Sequence, residues 1–597
     1  MTKFNDKQIE AINSIEGTVQ VIAAAGSGKS SILVERVLNM INHNIKPDDI
    51  LTISFTNASA TDLKKKLAEK GVDVQAGTFH SVCKKLLEDI GYKNLTNFPN
   101  AYKLKREMEM RTGEKDLNIK DICSWIDYQK AYGLTYTDIL MEKESIYSGA
   151  GLLRDFFKIY EDFNKKTHSF DFNDWMNLTV KEYEKGRIKK KWKYVLVDEC
   201  QDLSGAQHKL VDLFCSTNNI FEVGDGNQVL YEFRGATPAL FETFDKTHKD
   251  TRVINMNINY RSCNNIVEAA NHFIRPYNKH YSNYMDSVAN NKENGIIKCK
   301  DFYTKEEEAV YVVNSIEKML NEGINPKDIA VLYRNHSCSA YIEKELRYAG
   351  IDYKTFNENS FFDRKEIKAI LSILKLLVDC NDDEAFEMLL ESRLYPTKYY
   401  KKDLIGNLRV DAGKRNYSMY EAFMDYGFKI DYEAKNRDIL LDMIIRLKAQ
   451  KEKFLSADKI INNIVKMFKI EKMLMENYEY STYIDKMDSI KDFSDMGRGI
   501  QVDAFVKMCS VGNVKKNKQS DCIELRTIHS SKGLEWDNTF LVGLQEDKFP
   551  SAKANELSEA RLMYVGVTRA KKNLYLTCIN YSDFYRKYIS YFGETDD

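Results

Sequence analysis

Short apolar runs rich in β-branched residues recur along the chain, each followed by a longer stretch with helical spacing. Val19–Ala24, Ile50–Phe55, Tyr194–Val197 and Ile220–Val223 form one group of such runs. Ile329–Tyr333, Cys522–Arg526, Thr539–Val542 and Leu574–Cys578 form a second. This alternation predicts mostly parallel sheets covered by helices, hence two α/β domains. More than 100 residues separate the region around His80 from Tyr194, and over 140 separate the helical run Ile370–Val378 from Cys522. Both stretches have few strand signals, and mixed-charge helical patterns such as Asp438–Glu452 and Lys459–Tyr478 fill much of the second. Each α/β domain is therefore expected to be interrupted by a mainly helical insertion. The expected division is 1–94 with 166–255 for the first α/β domain and 95–165 for its insertion. The second is expected over 256–375 with 521–597, its insertion over 376–520. Asp286–Gly295, rich in Asn, reads as a solvated loop.

Composition narrows the class. A chain of 597 residues exceeds a single core, because domains hold roughly 100–200 residues each. Hydrophobic residues at 43%, charged residues at 30% and only 7 Pro exclude disordered, collagenous and Pro-rich classes. Lys plus Arg number 88 against 89 Asp plus Glu, so a globally basic surface is absent and any nucleic-acid site must be a local groove. The 11 Cys are scattered without zinc spacing and read as reduced thiols. The start, Met1–Lys7, lacks the apolar core of a signal peptide, and no run of about 18 apolar residues occurs. The expectation is a cytoplasmic protein, monomeric in isolation, with no membrane partner.

The strongest local signal is Ala23-Ala24-Ala25-Gly26-Ser27-Gly28-Lys29-Ser30, placed between the apolar run Val19–Ile22 and the helical run from Ile32. Small residues let backbone amides curl around phosphate oxygens. Lys29 can neutralise β/γ-phosphate charge, and Ser30 can ligate magnesium at a helix N-terminus. A second run, Tyr194-Val195-Leu196-Val197-Asp198-Glu199, delivers two acids at a strand end. Beside a phosphate loop, Asp198 is expected on the metal and Glu199 on the attacking water. Gln228, just after Ile220–Val223, can sense a γ-phosphate. Arg261 and Arg569, in Asn259-Tyr260-Arg261 and Thr568-Arg569-Ala570, are the cations expected from the far wall of an ATP site between two α/β domains. Together these residues predict hydrolysis of a nucleoside triphosphate.

The ordered set of motifs resembles superfamily 1 DNA helicases of the UvrD/PcrA/Rep type over nearly the whole chain. The resemblance implies two RecA-like P-loop NTPase motor domains, each carrying a helical accessory insertion, with ATP and magnesium between them. It implies that Gln8, in Phe4-Asn5-Asp6-Lys7-Gln8, reads the adenine edge and that Tyr260 stacks on the ring. Ala24, Ala25, Gly26, Ser27, Gly28, Lys29 and Ser30 would form the phosphate loop, and Arg36, which matches a further family position, would join them in binding the nucleotide. In Thr527–Glu535, Glu535 would bond the ribose, and His529–Gly533 would link the state of ATP to the DNA path.

The same resemblance implies a single-strand path over Thr56 and Asn57, Phe79 and His80, and Asp171 and Phe172. Tyr231 and Phe233, in Leu230-Tyr231-Glu232-Phe233-Arg234-Gly235, would stack on bases, with Arg234 binding backbone or the neighbouring acids. Phe361 would contact a base or serve in domain packing, while the residues alone equally read as the start of a core helix. Ala58 stands where the family usually has Lys, and Gly226-Asn227 where it more often has two Asp. The implied activity is an ATP-dependent 3′–5′ DNA helicase and translocase acting on single-stranded and 3′-tailed duplex DNA, with a repair or replication protein as a possible further partner. Three rival classes share the motifs: the motor half of a helicase–nuclease, a DNA-stimulated ATPase that clamps or displaces proteins with little unwinding, and, as the weakest, an RNA-directed enzyme. The end at Asp597, soon after Arg569, leads us to expect no nuclease domain on the same chain.

Overall fold

The first group of apolar runs becomes one sheet, because each strand must bury both faces. In the computed structural model, which describes residues 4–141, 145, 147, 149–278, 284–355, 360–401, 403–510, 521–546, 548–551 and 555–590, these strands are β1 (Val19–Ala23), β2 (Ile50–Ile53), β3 (Gln75–Gly77), β4 (Trp192–Asp198), β5 (Cys215–Gly224) and β6 (Arg252–Met256). Their order is β3-β2-β4-β5-β1-β6, and every neighbouring pair runs parallel. Alternate residues feed opposite cores. Val195 and Val197 of β4 join Leu51, Ile53 and Phe214 on one face, whereas Tyr194 and Leu196 join Val19, Val21 and Ile32 on the other. Each such aliphatic side chain contributes about 1.5–3 kcal/mol on full burial. The sheet places the C-terminal ends of β1, β4 and β5 side by side, where parallel α/β sheets present their ligand sites.

Between β3 and β4 the chain is helical, with helices at Phe79–Asp89, Ala101–Thr112, Ile119–Ala131, Ala150–Thr167 and Phe172–Glu184. Part of this stretch has its own core, in which Leu104, Met108, Trp125, Phe156 and Phe157 are buried together. The chain as a whole divides into two compact units, 1–301 with 531–597, and 302–530. The second group of apolar runs is shared between them. In the first unit, Trp536–Leu544 pairs in parallel with Ala570–Ile579, and Phe540 stacks on Tyr575 at 4.5 Å. In the second, Ile523–Thr527 lies between Ile329–Tyr333 and Tyr353–Thr355 and runs parallel to both. The remainder of that unit is largely helical, and its Lys365–Val378 helix is buried around most of its circumference.

The stretch expected as the loop Asp286–Gly295 contains a two-residue strand, Val288–Ala289, paired with Ile258–Asn259. The physical reason is the Asn271 side chain, which accepts from Ser287 N at 3.0 Å and donates to Ser287 O at 2.7 Å. All eleven cysteines are free thiols. Among the described residues, no helix is long and apolar enough to cross a membrane.

Candidate active site and the adjoining aromatic surface

The turn after β1 needs glycine twice. Gly26 has φ +71° and Gly28 φ +88°, the left-handed region. A Cβ on Gly26 would also lie 2.8 Å from Arg261 Cβ and 2.9 Å from Asn259 Oδ1. The close approach is sealed by Tyr260 N donating to Gly26 O at 2.9 Å. The Lys29–Asn42 helix then starts from Gly28 with no side-chain cap, so its first amides remain available to an anion. Ser27 Oγ is buried without a partner, Lys29 Nζ donates to Ala23 O at 3.3 Å, and Ser30 is exposed in the first turn. An orphaned buried hydroxyl, uncapped amides and an ammonium fit a polyphosphate with its magnesium. Ala24 and Ala25 complete the turn, Ala25 fully buried.

Gln8 braces this loop from outside. Its amide closes a capping box with Asn5, whose side chain accepts from Gln8 N at 2.8 Å while Gln8 Oε1 accepts from Asn5 N at 2.9 Å. Gln8 Nε2 donates to Ser27 O at 3.0 Å, and Asn5 Nδ2 to Tyr260 Oη at 2.7 Å. Tyr260 is 42% exposed, so its ring is open to a planar ligand. Arg36 is placed elsewhere than the resemblance implied. It is 2% exposed, donates to Ala11 O at 2.6 Å and Ile15 O at 3.2 Å, and sits 4.2 Å from the centre of the Phe221 ring. Those bonds tie the Asp6–Asn13 helix, and so Gln8, to the sheet.

The two acids at the end of β4 are driven apart in proton affinity. Asp198 is raised by burial and then by Glu199, with Lys29 opposing. For Glu199 burial also disfavours the charge, but the ammonium groups of Lys532 and Lys29 outweigh it and hold the carboxyl below its usual range. Glu199 adopts φ +53°, its amide donates to Asp198 Oδ1 at 3.0 Å, and Gln201 Nε2 donates to its Oε2 at 2.6 Å. Lys532 ion-pairs with Asp202, donates to Gln228 O at 2.9 Å and lies 3.5 Å from Glu199 Oε2.

A third strand end completes the site. At Gly224 a Cβ would meet Gln201 Oε1 at 2.5 Å, because that oxygen accepts from Asp225 N at 3.0 Å. Gln228 Nε2 donates to Asp225 Oδ2 at 2.6 Å, and Gln228 Oε1 accepts from Arg569 at 3.2 Å. Arg569 is 1% exposed and also donates to Val565 O at 2.9 Å and Leu534 O at 3.3 Å. Burial, then Arg261, lower its proton affinity. Arg261 donates to Glu535 Oε2 at 2.6 Å and Thr568 O at 3.1 Å. Glu535, expected toward a ribose, is thus ion-paired with Arg261. Asn227, where the family more often has Asp, accepts from Asn278 at 2.7 Å. Lys29, Asp198, Glu199, Gln228, Arg261 and Arg569 all belong to the first compact unit.

Beside this site lies a surface of aromatic rings. Phe55 stacks on Tyr231 at 4.7 Å, and Tyr231 lies 6.2 Å from Phe233, which is 52% exposed. The Arg234 guanidinium is 5.8 Å and 5.4 Å from the two rings. Thr56 caps the Asn57–Glu69 helix by accepting from Ser59 N at 3.1 Å, leaving Asn57 exposed in its first turn. A second cluster has Phe172 at its centre, 5.6 Å from His80, 5.0 Å from Phe98 and 5.1 Å from Trp175. Burial lowers the proton affinity of His80, favouring a neutral ring there.

Three expected strand contacts are occupied by the fold itself. Phe79 is 1% exposed within the core under the sheet, so its ring faces no solvent. Asp171 accepts from Asp174 N at 2.8 Å and Tyr160 Oη at 2.7 Å and ion-pairs with Lys130. In the second unit, Phe361 is fully buried against Phe362 at 5.2 Å and Phe493 at 6.3 Å, which is the packing alternative. His529 stands half-buried in a single 3₁₀ turn.

Lys130, missed in the sequence, is held by Asp171 and by Asp174 at 2.5 Å and is almost fully buried. Lys130→Met strands the buried Asp171 carboxylate and the half-buried Asp174 beside it, with an expected loss of about 3–5 kcal/mol of stability. Denaturant unfolding followed by tryptophan fluorescence checks this; a midpoint equal to that of the parent rules it out. Phe55, Gln201 and Lys532 were also unassigned although each lies within or beside a motif. Phe98 has no local signal.

Similarity to known proteins extends over nearly the whole chain. The model of the UvrD/REP helicase N-terminal domain matches residues 4–249, and that of the UvrD-like helicase C-terminal domain matches residues 254–581. The chain is 29% identical to the ATP-dependent DNA helicase Rep of Buchnera aphidicola subsp. Schizaphis graminum, covering 96% of this chain and 93% of that protein. It is 26% identical to the ATP-dependent DNA helicase PcrA of Staphylococcus epidermidis and 27% identical to that of Staphylococcus aureus. These alignments cover 96% and 97% of this chain and 83% of each relative. With both family models matched in order and phosphate loop, acid pair and paired arginines assembled in one site, the chain belongs to the UvrD/PcrA/Rep family of superfamily 1 helicases.

Proposed function

We propose that this protein is an ATP-dependent DNA helicase and single-strand translocase that moves 3′ to 5′. The observation that carries the reading is Lys532. One ammonium pairs with Asp202, approaches Glu199, bonds the Gln228 carbonyl and lies 5.9 Å from the centre of the Tyr231 ring. It joins the residues suited to hydrolysis to the rings suited to bases.

In this reading Lys29, Arg261 and Arg569 stabilise charge spread over the transferred phosphoryl, and Gln228 reports its presence. Glu199, the acid held ionised, orients the attacking water and accepts its proton. Magnesium, held by Ser30 and Asp198, would neutralise phosphate oxygens. Gln8 and Tyr260 hold the adenine and Glu535 the ribose. Thr56, Asn57, His80, Phe172, Tyr231, Phe233 and Arg234 form the strand path, whose stacking contacts do not discriminate between bases. The division into two motor domains with insertions at 95–165 and 376–520 belongs to the same proposal.

Polarity-resolved unwinding tests it. Duplexes with 3′ tails should open in the presence of ATP, and those with 5′ tails should not. Opening of the 5′-tailed substrate alone rejects the direction. Translocation on single strands without opening favours the clamp reading, which the absence of a basic residue at Ala58 supports. Tyr231→Ala should weaken single-strand binding by about 5- to 150-fold, the equivalent of roughly 1–3 kcal/mol per stacked base. DNA-free hydrolysis should stay near that of the parent; equal loss of both with an intact fold makes Tyr231 a core residue only.

A further inference from the structure

We propose that Arg561 is a positioning residue whose contact with Glu232 transmits strand binding to the phosphate site. The inference rests on the helicase reading above and adds a route that its motifs do not specify. The Glu556–Val567 helix has 12 residues, a length of about 18 Å. Near its N-terminal end Ser558 Oγ donates to the Glu232 carboxylate. One turn on, Arg561 donates to Glu232 Oε1 at 3.4 Å and Glu242 Oε1 at 3.0 Å. Two residues beyond its C-terminal end, Arg569 donates to Gln228 Oε1. Both ends of one helix are therefore fastened to one short segment, Gln228–Glu232, which spans at most roughly 14 Å.

The segment is equally constrained. Leu230 N donates to Asp202 Oδ1 at 3.0 Å. Arg234 N and Ala236 N both donate to Tyr231 O, closing a tight turn that ends at Gly235 with φ +90°. Glu232 stands between Tyr231 and Phe233, so bases that press on either ring move its carboxylate with them. Arg561 is 4% exposed and sits in a buried position, where a charge-assisted pair is stronger than on the surface. A shift of the turn then moves the helix, and with it Arg569 against Gln228. Among the described residues, neither Arg561 nor Glu232 hydrogen-bonds or ion-pairs with the phosphate loop or the acid pair.

The test compares parent, Arg561→Met, Arg561→Lys, Glu232→Gln and the double variant Arg561→Met with Glu232→Gln. Phosphate release is followed with and without oligothymidylate. Arg561→Met and Glu232→Gln should each lower the strand-stimulated kcat about tenfold while DNA-free hydrolysis stays within about twofold of the parent. Arg561→Lys should recover most of the stimulation, and the double variant should be no worse than the poorer single one. Stimulation retained in both single variants overturns the proposal, and so does a DNA-free rate that falls in step with the stimulated one. If the parent itself shows no stimulation, the helicase reading fails, and the coupling route falls with it.

Discussion

Glu199→Gln reduces steady-state ATP hydrolysis by about 10²–10⁴-fold while nucleotide and single-strand binding survive; this is the expected result for the carboxylate placed on the attacking water. The substitution keeps shape and hydrogen-bonding reach but removes the carboxylate that Lys532 and Lys29 hold ionised. Asp198 does not replace it in this reading, because its carboxylate is committed to the magnesium. Lys29→Met should fail as completely for a different reason. It removes the ammonium at the phosphate loop and one of the charges favouring ionised Asp198 and Glu199, so nucleotide binding should weaken as well. Phosphate release measured beside binding of a fluorescent nucleotide separates the two cases. Parental turnover in either variant would sink the active-site assignment.

Arg569→Lys is expected to lower kcat by about 10³-fold or more, close to the loss in Arg569→Met, although lysine retains the charge. The guanidinium uses three separate nitrogens at once, Nε on Val565 O, Nη1 on Leu534 O and Nη2 on Gln228 Oε1. A lysine has one ammonium and cannot reproduce that fork. The carbonyl of Leu534 and the amide of Gln228 would lose their shared donor, and with it Gln228, proposed above as the γ-phosphate sensor, would lose its anchor. Single-turnover hydrolysis at saturating ATP tests the point, with thermal melting as the control for folding. A lysine variant within tenfold of the parent would show that charge alone suffices there.

How much of this was legible depends on distance along the chain. The phosphate loop was readable because strand, glycine turn and helix N-terminus lie within about a dozen residues and their conformations are dictated locally. The acid pair was readable for the same reason, as was the two-sided burial of β4. Lys532 was not, although it lies inside a motif, since its partner Asp202 is 330 residues away. Arg36 and Asp171 illustrate the opposite case. Each has a residue type suited to a ligand, yet Arg36 is spent on Ala11 and Ile15 carbonyls and Asp171 on Lys130, Tyr160 and a helix cap. Phe79 and Phe172 were expected alike, and only their burial, 1% against 54% exposed, separates a core ring from one open to a strand.

The sequence by itself therefore determined the α/β class, the nucleotide chemistry and the family, because these follow from local periodicity and short motifs whose order is preserved along the chain. The tertiary structure decided which candidate side chains are open to a ligand and which are already paired, and how the hydrolytic residues meet the aromatic turn. Those outcomes depend on burial and on contacts between residues hundreds of positions apart, as between Gln228 and Arg569 or Glu232 and Arg561. No local pattern encodes them.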